Sequence, residues 1–412
     1  VSVSQTVHIH TFPNGLTLLA EPMEDVRSAA LNFLVPAGCV FDPPDRLGTA
    51  SLLSELILRG AGNRDSRELL LALDNLGLDH RESVGPRHLR CWGATLASHL
   101  AGGLELYADI LLRPRLPAAE LEPVQALALQ DLQALEDSPR AKVMLALHKH
   151  NYPVPLSNDR NGTQAGVLAV TREHLLAFYQ ERFRPQGCIL SVAGNIHWES
   201  LRDQVGQLFG DWQGEADLSL QLGPQPEPRA HLTKNLEQTH IAVAYPSVPV
   251  IHPDYYAAMG AVNVLHGGMS ARLFTELREK RGLCYAVSAG YQTFKDRASI
   301  ICYAGTTNER AQETLDQLLF ELGRLRQGIE PDEVNRLRAG LKSSLIMQQE
   351  STSARAGVLA SDWYYHGRVR SFDEIRAAID ALTPETILAH LERYPPGDFR
   401  IVTLGPSPLV TR

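Results

Sequence analysis

The sequence predicts an α+β protein built from two homologous halves, each an α/β sandwich. The first support is length: 412 residues are too many for one ordinary hydrophobic core, so two or more domains are expected. The second is an internal repeat. Thr171-Arg172-Glu173-His174-Leu175-Leu176-Ala177-Phe178 corresponds to Thr383-Pro384-Glu385-Thr386-Ile387-Leu388-Ala389-His390, about half the chain further on. Each copy opens with a threonine suited to cap a helix, and Pro384 takes the first helical position, where a missing N–H costs nothing. Downstream, Arg184-Pro185-Gln186-Gly187-Cys188-Ile189-Leu190 corresponds to Pro395-Pro396-Gly397-Asp398-Phe399-Arg400-Ile401. The third is a stretch at 214–229 with three prolines and few large apolar side chains after Leu222, which reads as a linker. The expected organisation is a first half over 1–213, the linker over 214–229 and a second half over 230–412.

Taken in order, 7–21 reads as a hairpin turning at Pro13-Asn14-Gly15, 29–35 as a strand and 48–60 as an amphipathic helix. Long helical patterns cover 118–135 and 140–150, and Gly85-Pro86-Arg87-His88 reads as a loop between two strands. Near the middle, Gly267-Gly268 forms a turn and Ser270 is a candidate N-cap. Leu273, Phe274 and Leu277 then make the apolar stripe of a helix that ends at Gly282. Cys284-Tyr285-Ala286-Val287 opens the next strand, so Arg278 and Tyr285, across that tight connection, are able to face one cleft. Read alone, Arg278 is more simply a solvated helix-end cation, and Tyr285 a half-buried strand residue.

Composition narrows the function classes. A hydrophobic fraction of 44% supplies ample core, while no apolar run reaches membrane-spanning length. Net charge of −8 argues against nucleic acid as the partner. The stretch Val1-Ser2-Val3-Ser4-Gln5-Thr6-Val7 lacks the basic-then-apolar layout of a signal peptide. Cys39, Cys91, Cys188, Cys284 and Cys302 show no metal-ligand spacing and read as buried free thiols, which fits a reducing compartment such as the cytoplasm. His148 and His150 sit two apart on a helical pattern and point to different faces, a structural arrangement. His8 and His10 share one strand face, but no acidic or cysteine partner lies nearby in sequence.

The stretch from Gly267 to Tyr285 resembles the C-terminal half of the pitrilysin (insulinase, mitochondrial-processing-peptidase) metallopeptidase family, whose arginine–tyrosine pair has this spacing. The resemblance extends over nearly the whole chain. It implies two halves facing each other across a chamber, with the zinc site of a catalytic chain in the first half. Catalytic members carry H-x-x-E-H on a helix, where two imidazoles one turn apart bind Zn²⁺ and the glutamate activates the bound water. The matching segment here is Gly48-Thr49-Ala50-Ser51-Leu52-Leu53-Ser54-Glu55-Leu56-Ile57. Residue by residue, Ser51 stands for the first histidine, Ser54 for the glutamate and Glu55 for the second histidine. Asp131 stands for the later carboxylate. The imidazoles and the general base are gone, and no H-x-x-E-H or H-E-x-x-H occurs elsewhere in the chain. Glu55 and Asp131 alone could at most recruit a hard cation such as Ca²⁺. No metal is therefore expected in this chain.

By contrast, Arg278 and Tyr285 stand in the family's register. There the pair contacts the bound peptide near the scissile bond, the arginine on a carbonyl and the tyrosine hydroxyl toward the developing oxyanion. The resemblance implies the non-metal subunit of a heterodimeric peptidase: a related partner supplies H-x-x-E-H and zinc, and the substrate is an unfolded peptide bound extended along a sheet edge. Only Gly267-Gly268 remains where the mitochondrial non-catalytic subunit has a glycine-rich loop, which favours a general bacterial peptidase subunit. Two other classes stand beside this one: a peptide-binding homodimer, and a structural subunit like the core proteins of the cytochrome bc1 complex.

Overall fold

The computed structural model describes residues 5–410; the first four residues of the N-terminal stretch considered above for a leader lie outside them. The chain divides into two compact units. Unit 1 comprises Val1–Ala134, Val154–Gly223 and Gln348–Val369; unit 2 comprises Leu135–Pro153, Pro224–Met347 and Arg370–Arg412. The contiguous bounds 1–213 and 230–412 follow chain order, whereas each packing unit also takes in a helix from the other's stretch of sequence. The 214–228 stretch has no regular secondary structure, and the passage from unit 1 to unit 2 falls inside it, at Gly223–Pro224.

In unit 1 the strands are β1 (His8–Thr11), β2 (Thr17–Pro22), β3 (Ser28–Val35), a small β4–β5 hairpin (Gly60–Ala61 with Arg64–Asp65), β6 (Asp79–Val84), β7 (Leu89–Leu96) and β8 (Ile189–Gly194). The main sheet has the order β1-β2-β8-β3-β7-β6. The β1–β2 hairpin forms as the sequence predicts, Gly15 taking φ +90° in its turn. In unit 2 the strands are β9 (Arg229–Thr233), β10 (Gln238–Ser247), β11 (Ala286–Thr293), β12 (Ala298–Thr307) and β13 (Arg400–Gly405), in the order β11-β12-β10-β13-β9. The repeat is visible in topology: the order β6-β7-β3-β8-β2 recurs as β11-β12-β10-β13-β9. In both, only the last pair is parallel. Thr171 and Thr383 both close capping boxes, on the helices Arg172–Arg182 and Pro384–Arg393.

Strand alternation sends successive side chains to opposite faces of each sheet, and both faces are apolar. In unit 1, Leu18, Ala20, Leu31 and Phe33 join the large core formed with the unit's own helices. Leu19, Ala30, Ile189 and Ala193 face the other way and are covered by Ala356, Leu359 and Ala360 of the helix Thr352–His366. Unit 2 repeats the arrangement: Ala242, Ala244, Val402 and Leu404 are covered by Val143 and Leu147 of the helix Pro139–Asn151.

The helix on the unit 1 sheet is pinned by polar contacts. Arg355, 2% exposed, donates to both carboxylate oxygens of Glu21, with Nη2 to Oε2 at 2.6 Å. Ser191 Oγ donates to the Ala356 carbonyl at 2.6 Å, and Ser28 meets Thr352 at 3.4 Å. A buried pair adds little net stability over an apolar replacement, but removing one partner strands the other charge. Arg355→Ala should therefore destabilise unit 1 by about 3–5 kcal/mol. The double variant Arg355→Met/Glu21→Gln should recover the part of that loss due to the stranded Glu21 charge, both read from denaturant midpoints.

Candidate functional site

The helix Thr49–Leu56 carries the positions matched to the zinc motif, in unit 1. Gly48, at φ +108°, provides no capping side chain. Asp42 caps from a distance instead, accepting the Gly48 N–H at 2.7 Å and the Ala50 N–H at 2.8 Å. Leu52, Leu53, Leu56 and Ile57 are buried, which leaves Ser51, Ser54 and Glu55 along the remaining face. The loop after Asp159 packs tightly on this helix start. Gly162 has φ +70°, and a Cβ there would lie 2.1 Å from the Leu47 carbonyl oxygen.

The structure brings Ser51, Ser54, Glu55 and Asp131 to one cleft of about 380 Å³, together with Glu82 on β6 and Arg160. Glu82 and Arg160 were not legible as site residues: Glu82 is one polar position on an alternating strand, and Arg160 belongs to a loop far along the chain. The donor set does not fit zinc. Ser51 Oγ donates to the Arg160 carbonyl at 2.5 Å, and Ser54 Oγ to the Ser51 carbonyl at 2.8 Å, so both hydroxyls are committed to backbone oxygens. The remaining candidates are carboxylates without an imidazole. Among the described residues no group of three or more His, Cys, Asp or Glu is arranged to hold a metal ion. Burial raises the Glu55 carboxyl pKa; Arg59 opposes this, and the charges of Glu82 and Asp131 add to it.

Arg278 and Tyr285 lie in unit 2, and the structure brings them together. The segment Phe274–Lys280 is wound as a π-helix, not the α-helix expected. The helical winding opens at Arg272, and the Thr275 N–H reaches the Ala271 carbonyl, so Ala271 and not Ser270 stands at the N-cap position. Gly282 does end it, at φ +59°, with its N–H on the Arg278 carbonyl at 3.2 Å. Leu273 and Leu277 are buried beneath. On the outer side the Arg278 guanidinium lies 4.8 Å from the Phe274 ring centre and 5.5 Å from that of Tyr285. Tyr285 is 80% exposed, not half-buried, because its N–H is fixed to the Gly305 carbonyl while its ring projects into solvent. Among the described residues neither side chain makes a hydrogen bond or ion pair, so their donors are free for a ligand.

The other candidates are structural. His148 packs on Tyr152 and Phe294, while His150 Nδ1 meets the Glu227 carbonyl. His8 stacks on Trp198 at 4.8 Å, and His10 sets its edge on Phe12. All five cysteines are buried and free, and burial pushes the Cys39 thiol up to about 12. Among the described residues no helix is long and apolar enough to cross a membrane.

Known proteins resemble this chain along nearly its whole length. Residues 18–164 match the family described as insulinase (peptidase family M16), and residues 169–341 match the peptidase M16 inactive domain. An uncharacterized zinc protease of Rickettsia bellii is 24% identical over 99% of both chains. The uncharacterized zinc protease YmxG of Bacillus subtilis is 23% identical over 97% of this chain and 98% of its own. Among solved structures, a peptidase M16 inactive domain from Pseudomonas fluorescens superposes with a TM-score of 0.90. It is 20% identical, and the match covers 98% of this chain and 99% of that one. A protease from Helicobacter pylori gives 0.89 at 19% identity, covering 98% and 100%.

The cap of the site helix has a pH signature. Burial outweighs the two amide hydrogen bonds and lifts the Asp42 carboxyl from 3.8 to about 7. Between those values the folded chain holds a proton that the unfolded chain has lost, so this group's contribution to stability falls as pH rises. Asp42→Asn should flatten that part of the stability–pH curve measured by denaturant unfolding between roughly pH 4 and 7. An unchanged slope contradicts the buried-carboxyl assignment.

Proposed function

The chain belongs to peptidase family M16 as a non-metal member, and we propose from that premise that it is the R/Y-bearing subunit of a heterodimeric zinc peptidase. The observation that carries this reading is an asymmetry between the two sites. At the positions of the zinc motif, Ser51 and Ser54 are turned onto backbone carbonyls. Arg278 and Tyr285, by contrast, stand together, and among the described residues their donors make no hydrogen bond. Such a pair binds and stabilises charge but activates no water, so it serves chemistry only beside a zinc site contributed by a related chain with H-x-x-E-H.

In that role Arg278 holds a substrate carbonyl with charged N–H donors. The Tyr285 hydroxyl donates to the oxygen on which negative charge develops, an interaction stronger in the transition state than in the ground state. Tyr285 immediately precedes β11, the edge strand of the unit 2 sheet. A free edge offers main-chain hydrogen bonds to an extended chain whatever its sequence, which suits an unfolded peptide. The net charge of −8 favours neutral or basic segments over acidic ones.

With the partner identified by co-purification, Tyr285→Phe and Arg278→Ala should each lower kcat for a labelled unfolded polypeptide by roughly 10²–10³-fold, the usual loss for one oxyanion donor. Assembly of the pair should be intact by native mass. Wild-type turnover in both variants overturns the proposed role.

A further inference from the structure

We infer that Arg272 and Glu333 form the positioning pair of the segment that carries Arg278 and Tyr285; this assignment rests on the peptide-contacting role proposed above for that segment. Arg272 stands just before the π-helix. Its Nε donates to Glu333 Oε1 at 2.7 Å and its Nη2 to Oε2 at 2.6 Å, a two-pronged geometry that fixes the guanidinium plane. Nη2 also reaches the Gly328 carbonyl at 2.8 Å. The two side chains are only 11% and 14% exposed, so solvent screens the pair weakly. Glu333 is held from its other side as well, since Oε2 accepts the Glu330 N–H at 2.9 Å, next to the start of the helix Pro331–Gln349.

This anchoring answers a local weakness. A π-helix is rare and usually short, and this one continues directly from a brief α-helical start at Arg272 and Leu273. Rewinding it to α-helical pitch would carry Arg278 around the helix axis and off the Tyr285 ring. The far end is tied down by Arg310, which donates to the Gly282 carbonyl, and by Thr306 Oγ1 on the Leu283 carbonyl at 2.5 Å. Arg272 and Glu333 supply the matching tie at the near end. With both ends held, the rotation of the segment, and so the place of Arg278, is set.

The test uses the full chain with isotope-labelled arginine. Stacking on Phe274 and Tyr285 gives the Arg278 side chain ring-current-shifted NMR signals, assigned by their loss in Arg278→Lys. Glu333→Gln and Arg272→Lys should move these signals toward the free-arginine position. They should lower kcat of the reconstituted pair on labelled unfolded polypeptide about tenfold or more, as expected for a misplacement near 1 Å, with KM little changed. The swap R272E/E333R should restore both readouts in large part, and Lys280→Gln, on the same helix, should move neither. Unmoved Arg278 signals in Glu333→Gln and Arg272→Lys overturn the inference. So do moved signals with unchanged kcat, if Arg278→Ala itself is impaired. Wild-type turnover in Arg278→Ala instead overturns the function proposed for the segment, while moved signals still support the positioning contact.

Discussion

Two sheets, each apolar on both faces, constrain everything else in this chain. A sheet face left open to water would forfeit roughly 25 cal/mol for every Å² of apolar surface, so each face needs a cover. The unit's own helices cover one face. The other is covered in unit 1 by the helix Thr352–His366 and in unit 2 by the helix Pro139–Asn151, each drawn from the other half of the chain order. The chain therefore passes from one unit to the other at 134–135, 153–154, 223–224, 347–348 and 369–370. The Glu21–Arg355 pair gives the unit 1 cover a fixed register that apolar contacts alone would specify less sharply.

The repeat was legible because local chemistry announces it. Thr171 and Thr383 sit at helix starts, and the helix each opens is followed by a mostly apolar strand, β8 interrupted by Ser191 and β13 by Thr403. The absence of H-x-x-E-H was legible for the same reason, since the motif depends on residue types at fixed helical spacing. The exchange of covering helices was not. An apolar stripe on Thr352–His366 says that a face is buried but not against which sheet, and that choice is made by long-range packing. Ser270 misled because a serine before an apolar stripe is ordinarily a cap. Here Arg272 and Glu333 hold the segment start, and the winding is wider than the stripe implies. Glu82 and Arg160 come to the cleft only through the fold.

The two candidate sites differ in how their polar groups are used. In unit 1 the helix that could present a metal keeps its buried leucines, its remote cap at Asp42 and its tight glycine neighbour. Its serines bond to backbone carbonyls of its own surroundings. In unit 2, ion pairs and backbone hydrogen bonds are gathered around a short segment of unfavourable winding, and what it presents is a guanidinium stacked on two rings and a phenol, neither hydrogen-bonded among the described residues. Local order invested in holding free donors at a surface fits a binding surface better than a scaffold.

The central claim is that this chain works beside a zinc-bearing relative, and the native assembly tests it most directly. The chain, purified under native conditions from its own cells, would be weighed by native mass spectrometry, its partners identified and its zinc counted. The account predicts a one-to-one complex with a related chain carrying H-x-x-E-H, with zinc that leaves with the partner when the two are separated. A zinc-free homodimer that binds unfolded peptide without cleaving it would contradict the account, as would a stoichiometric place among membrane respiratory subunits.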